Sequence, residues 1–273
     1  MTTSTPPTQR RAAPAGSALY WTFADAAAVT RRNLLQYQRI PQLLVFSTIQ
    51  PVMFVLLFVF VFGGAIKSSV PGGNYVNFLM PGIFVQTAVF GATATGIGLA
   101  EDLGRGMIDR FRSLPMARSA VLAGRTFADM LRNVFVVILM TVVGVLVGFE
   151  PFSAGILPYL VMVVLVVGFG YAFSWISALV GLLVKDPETA QAAGFVWIFP
   201  LTFGSSAFVP VATMPDWLKP FANANPITVT VNAGRALLAG TATIGTVVPS
   251  VLWMVAIVAV FVPLAVRAYR RAS

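Results

Sequence analysis

The sequence contains no cysteine and no histidine, and its only lysines are Lys67, Lys185 and Lys219. Disulfides, thiolate nucleophiles, imidazole acid–base groups and zinc sites of the usual ligand types are therefore excluded. The lysines follow Ile66, Val184 and Leu218, never glycine, so the phosphate-cradling GxxxxGK[ST] loop is missing too. Charge is scarce. There are 18 Lys+Arg and 9 Asp+Glu in 273 residues, or 10% of the chain, against roughly 25% in a soluble domain. With 58% hydrophobic residues and a mean hydropathy of +0.85, neither an ordinary water-soluble enzyme nor a disordered chain fits.

What the chain does have is long uncharged runs. Ile40 to Ile66, Ser68 to Ala100, Asn133 to Phe149, Pro151 to Val184, Thr189 to Pro215 and Ala236 to Val266 carry no charge. A helix crossing the hydrocarbon core needs about 20 apolar residues at ~1.5 Å each. The expectation is an all-α polytopic membrane protein with six transmembrane helices, over about 43–63, 77–100, 133–149, 158–184, 192–212 and 246–266. Residues 1–16 are polar and Pro-bearing and read as a disordered cytoplasmic tail. Residues 17–40 mix Leu19, Trp21, Phe23 and Val29 with Arg31, Arg32 and Arg39, the pattern of an amphipathic interfacial helix that Pro41 ends.

The arginines and lysines fix an expected orientation. With the N-terminus cytoplasmic, the inner segments hold Arg10, Arg11, Arg31, Arg32, Arg39, Arg105, Arg110, Arg112, Arg118, Arg125, Arg132, Lys185, Arg267, Arg270 and Arg271. The outer segments hold only Lys67, Lys219 and Arg235. Both termini are thus expected inside, and the net charge of +9 points to an anionic membrane face rather than to nucleic acid. The inner connection 101–132 alternates charged and apolar residues and should form short membrane-hugging helices broken at Pro115. The outer stretch 211–245 should dip partway into the outer leaflet as short re-entrant helices, with Trp217 and Phe221 as interfacial anchors.

Catalytic chemistry has little to work with. All nine acids (Asp25, Glu101, Asp102, Asp109, Asp129, Glu150, Asp186, Glu188 and Asp216) fall at expected span ends or in connections. No catalytic set, no metal site and no mid-membrane ionisable group is legible, which disfavours an intramembrane enzyme and a proton-coupled secondary transporter. Some polar and aromatic residues do recur inside the runs. Phe195, Phe199 and Phe203 share one helical face, with Ser205 and Ser206 beyond them. Gln86, Thr87, Thr93 and Thr95 sit among Gly82, Gly91, Gly96 and Gly98. Gly144 and Gly148 form a GxxxG. Close helix packing explains such residues, and so does the lining of a path for an apolar or amphipathic molecule; both readings stay open.

Three blocks, in order, carry a family likeness: RRNLLQYQRIPQLLVFSTIQPVMFVLLFVFVFGGAI (31–66), YVNFLMPGIFVQTAVFGATATGIGLAEDLGRGMIDRFRSLPMARSAVLAGR (75–125) and FGSSAFVPVATMPDWLKPFANANPITVTVNAGRALLAG (203–240). They resemble the membrane subunit, or permease, of ABC-2 type exporters, of the daunorubicin-resistance subgroup, with 41–273 as the transmembrane domain. The resemblance implies six spans in a bacterial cytoplasmic membrane and no cofactor on this chain. ATP and Mg would be held by a separate ABC ATP-binding subunit in two copies, with a second permease copy or a related permease completing the assembly. It implies a coupling helix in the connection after the second span, which assigns ATPase contact to Arg110, Phe111, Arg112, Leu114 and Pro115. It also implies a substrate path along the second and fifth spans, for which the candidates are Gln86, Phe195, Phe199, Phe203, Ser205 and Ser206. The expected cargo is a hydrophobic or amphipathic drug, antibiotic or lipid; a lipid-linked glycan is the alternative.

Overall fold

A computed structural model of the chain describes residues 27–33, 35, 41–66, 70, 74–105 and 118–271. Among these residues all regular structure is helical, as lipid demands: with no water to satisfy N–H and C=O groups, a spanning segment must bond its own backbone. Helix α1 (Pro41–Leu56) continues through a π-helical stretch, Leu57–Phe62, and a last α turn, Gly63–Ile66. Then come α2 (Tyr75–Gly104), α3 (Arg118–Leu146), α4 (Ile156–Val184), α5 (Pro187–Phe203), the short α6 (Lys219–Ala224), α7 (Pro226–Leu238) and α8 (Ile244–Arg271). Five stretches are long and apolar enough to cross a membrane: Thr48–Ile66, Tyr75–Gly104, Leu122–Leu146, Ile156–Val184 and Ile244–Arg271.

Two elements differ from the sequence expectation. α3 is one unbroken helix of 29 residues from Arg118, not short helices followed by a span from 133. Asp129 and Arg132, expected in a solvated connection, thereby lie buried inside the third apolar helix. The expected fifth span, 192–212, is α-helical only to Phe203, and α5 starts earlier, at Pro187. Its 17 residues reach about 25 Å, short of the ~30 Å hydrocarbon core. Asp186 caps its start, accepting from the Thr189 hydroxyl and amide, and these bonds hold the carboxyl below the usual carboxylate range. Gly204 closes its other end, where Asn225 Nδ2 donates to the Leu201 carbonyl at 2.7 Å and so satisfies a carbonyl the helix leaves open.

α2 is the centre of the bundle. α4 lies along it, with α1, α3, α5 and α7 also against it. Lipid supplies no hydrophobic drive between helices, so small residues that let backbones meet must hold them. At the crossing of α2 and α4 a Cβ on Gly181 would strike the Gly96 carbonyl, and one on Gly96 would strike the Ser177 carbonyl. Gly82 takes the Ala207 carbonyl in the same way, and Gly170 lies against Ala88. Hydroxyl pairs add further ties: Thr141 with Tyr159 across α3 and α4, and Thr230 with Ser250 across α7 and α8, each at 2.7 Å.

Of the expected amphipathic segment, residues 27–33 are described as helical, and one side of them packs on the bundle. Val29, Thr30 and Asn33 are buried, and the Thr30 hydroxyl donates to the Gly124 carbonyl at 2.9 Å. Arg32 reaches Asp102 at 3.4 Å, and Arg125 meets the same carboxylate at 2.8 Å. That anion therefore ties the amphipathic segment, α2 and α3 together.

The α2–α4 crossing makes a direct prediction. Gly181→Ala should lower stability by about 1–3 kcal/mol, the usual range for overpacking. Gly104→Ala, with nothing within 4 Å of its Cβ, should not destabilise. Thermal unfolding of the two purified variants in one detergent checks this, and equal melting temperatures would contradict the packing.

Candidate functional site

α1, α2, α3 and α5 leave a cavity of about 210 Å³ between them. Its lining is unusual for a membrane interior, because Gln50, Gln86, Thr87, Thr93, Arg132 and Asn133 face it together with Phe90 and Phe195. Gln86 is central. It lies near the middle of α2, 3% exposed, and its Oε1 has no hydrogen-bond partner; the Thr87 hydroxyl beside it has none either. Buried polar atoms without partners are costly in a low-dielectric interior, and this pair keeps unused hydrogen-bonding capacity at the cavity.

Two other groups of α2 are engaged by α3. The Thr95 hydroxyl donates to the Asp129 carboxylate, and Arg132 donates to the Gly91 carbonyl. Gly91 and Gly98 leave room here for side chains, since a Cβ at either would meet the guanidinium end of Arg132 or Arg125. The glycines noted in the sequence thus serve two ends: Gly82 and Gly96 admit backbone, Gly91 and Gly98 admit arginine.

Phe195, Phe199 and Phe203 do share a face, with ring centroids 5.7 and 5.1 Å apart in succession. Phe90 of α2 joins them at 6.0 Å from Phe195 and 5.7 Å from Phe199. Beyond Phe203 the rings continue to Phe208 at 5.4 Å, and Phe208 stacks on Phe58 of the π-helical stretch at 4.4 Å. A continuous aromatic track therefore starts at the polar cavity and runs along α5 to α1. It is not a closed core, because Phe199 is 46% and Phe203 43% exposed. The stripe both packs on α2 and presents open ring surface.

Ser205 and Ser206 are placed otherwise than the sequence suggested. Both are buried and internally bonded, so they offer no free hydroxyls beyond the aromatic stripe. Ser205 Oγ donates to the Thr202 carbonyl and accepts from the Ala207 amide. The Ser206 amide donates to Thr228 Oγ1, and its hydroxyl meets Asn232 and Arg235. The expected coupling residues, Arg110, Phe111, Arg112, Leu114 and Pro115, lie outside the described residues.

Sequence reasoning missed Arg235, counted only as an outer charge. Its guanidinium donates to the Phe78 carbonyl at 2.8 Å, the Ser206 carbonyl at 2.7 Å and the Ala207 carbonyl at 3.2 Å. It also bonds Asn232 and lies over the Phe78 ring, 3.4 Å from its centroid. One side chain thus pins α7 to the start of α2 and to the backbone after α5. The one signal in the sequence was a single arginine within an otherwise mildly apolar stretch.

Arg235→Lys keeps the charge but cannot spread one ammonium over carbonyls that the planar fork reaches together. It should cost about 1–3 kcal/mol through acceptors left unmet. Ser206→Ala should cost less, ~1 kcal/mol. Detergent-solubilised melting temperatures would rank the two, and a lysine variant as stable as wild type would remove Arg235 from this role.

Comparison with known proteins places this geometry. The profile described as ABC-2 type transporter matches residues 25–239. The chain is 34% identical over 239 residues to the daunorubicin resistance ABC transporter permease protein DrrB1 of Streptomyces coeruleorubidus, covering 88% of this chain and 83% of that one. It is 28% identical over 204 residues to the doxorubicin resistance ABC transporter permease protein DrrB of Mycobacterium tuberculosis, covering 72% and 70%. Five helices able to span a membrane, a matched region running from before α1 to just past α7, and this extent of identity agree: the chain is a multi-pass membrane protein of the ABC-2 type transporter family.

Proposed function

We propose that the chain is the permease subunit of an ATP-driven exporter of amphipathic, drug-like molecules. One observation carries this reading: a small cavity holding the unpartnered Gln86 and Thr87 opens onto the aromatic track Phe90–Phe195–Phe199–Phe203. An amphipathic molecule has the matching parts. Its polar end would hydrogen-bond at Gln86, and its flat apolar body would lie on the rings. Aromatic pairs add only ~0.5–1.5 kcal/mol each beyond area burial, so the track would hold cargo weakly and broadly, which suits release. The drug-resistance names of two relatives support the same cargo class.

The buried Asp129 and Arg132 remove one sequence argument against ion-coupled transport, the absence of ionisable groups within the spans. Family membership takes its place, since it implies an ABC ATP-binding partner. In this reading two such subunits bind ATP and Mg, and a second permease copy or a related one completes the pathway. Closure of the ATPases would be felt at Arg110, Phe111, Arg112, Leu114 and Pro115 and would rock the helices between inward- and outward-facing arrangements. The energy comes from the partner's preference for its closed state, since a ligand shifts only an equilibrium it discriminates. α5 with the irregular residues after it would complete a sixth span, α6 and α7 would sit in the outer leaflet, and Trp217, 78% exposed, would anchor at the interface.

Transport by the reconstituted complex tests the path. Phe199→Ala should change the ratio of transported cargoes by about 2- to 10-fold at near-normal yield. If the ring is only core, yield or melting temperature should fall by the equivalent of ~3–5 kcal/mol with the cargo ratio unaltered, and that result would sink the assignment. In the same assay Phe111→Ala should lose cargo-stimulated ATP hydrolysis while still inserting.

Orientation has its own test. The cysteine-free chain permits single-cysteine labelling in intact bacteria: Thr241→Cys should react with an impermeant maleimide, and Glu188→Cys only after lysis. The reverse pattern would overturn the proposal that both termini face the cytoplasm of a bacterial inner membrane.

A further inference from the structure

The ends of α4 and α8 that carry Lys185 and Arg271 enclose a second cleft, of about 460 Å³, remote from Gln86 in its lining. Its polar rim is entirely cationic, formed by Lys185, Arg267 and Arg271. Its walls are aliphatic, with Leu179, Leu183 and Leu264 among them. We propose that this cleft binds the head group of an anionic phospholipid, with the phosphate among the three cations and the acyl chains along Leu183 and Leu264.

Four observations lead there. First, Leu264, Arg267 and Arg271 stand at i, i+3 and i+7, so one face of α8 passes from apolar to doubly charged at the cleft. Second, the cations lack counter-charges: among the described residues none of the three forms a salt bridge, and two arginines four apart on one face repel each other. Asp186, the acid next to Lys185 in sequence, is turned onto the amide and hydroxyl of Thr189 at the start of α5, and Glu188 follows it there. Third, the walls are open. Leu183 is 67% and Leu264 39% exposed, on two helices long and apolar enough to span a membrane, so the cleft faces where acyl chains lie. Fourth, Lys185 closes α4 at φ 63°, a left-handed position that glycine adopts at least cost. Cationic pockets between spanning helices, apolar below and basic above, match a phosphodiester on two acyl chains. A soluble anion would use the rim and ignore the walls.

Lys185 allows a test that does not rely on damaging the fold. The purified full-length chain in mild detergent is titrated with phosphatidylglycerol, phosphatidylcholine and inorganic phosphate, with bound species counted by native mass spectrometry. Phosphatidylglycerol should bind at least about tenfold more tightly than phosphatidylcholine. Lys185→Gly, Arg267→Gln and Arg271→Gln should each weaken it about fivefold. Lys185→Gly, which relieves the backbone, should keep or raise the melting temperature while losing lipid. Equal binding of the two lipids, wild-type lipid binding in all three variants, or a loss in Arg31→Gln as large as theirs would overturn the site in favour of diffuse attraction. Displacement of the lipid by equimolar phosphate would reassign the rim to a soluble anion. Unchanged lipid binding with weakened capture of the ATP-binding subunit in Lys185→Gly would make the cleft a protein docking surface and end the proposal.

Discussion

Contact between the backbones of α2 and α4, at Gly96 and Gly181, is the constraint on which the bundle turns. Inside a bilayer, helices gain nothing by leaving lipid that is as apolar as themselves, so association depends on dispersion at close range and on polar pairs. With a Cβ at either position the helices could not approach this far. Because they do, α2 becomes an interior element, and the polar residues along it must find partners in protein. Some are served by α3: Thr95 by Asp129, and the Gly91 carbonyl by Arg132. Gln86 and Thr87 are not served, and the cavity forms beside them.

Arginine here is largely a structural residue. Arg125 shares Asp102 with Arg32, Arg132 lies against Gly91, and Arg235 gathers three main-chain carbonyls around its plane. A guanidinium suits this work because it stays charged and offers five donors in a fixed fork. Arg235 matters most, since the backbone after α5 is irregular and its carbonyls cannot be satisfied by a helix of their own. The cations at Lys185, Arg267 and Arg271 are of a different kind, being exposed and lacking salt-bridge partners among the described residues.

For transport, rigid and open parts are divided usefully. α2 and α4 form a tight centre, whereas the rings of Phe199 and Phe203 are nearly half exposed and the Thr48–Ile66 stretch is mostly uncovered. In the proposed reading, the open rings and the two unmet polar atoms would receive a guest without reorganising the core. A rocking motion that kept the α2–α4 crossing intact could still alter how the α5 track is covered.

The sequence by itself determined the all-helical membrane class, the family and the shared face of Phe195, Phe199 and Phe203, though not the bounds of every helix. Long uncharged runs have one backbone solution in lipid, and the 3.6-residue period places i, i+4 and i+8 together whatever surrounds them. It also signalled the glycines of α2, though not which neighbour each admits. Tertiary structure decided the rest. Asp129 and Arg132 look like loop charges until Thr95 and the Gly91 carbonyl are found across from them, which allows α3 to run unbroken through both. Ser205 and Ser206 look like free hydroxyls until the Thr202 carbonyl, the Ala207 amide, Asn232 and Arg235 occupy them. α5 stops at Phe203, and the Leu201 carbonyl left open there is met by Asn225, over twenty residues later. A polar group's role depends on its partner, and partners distant in sequence are brought together only by the packed fold.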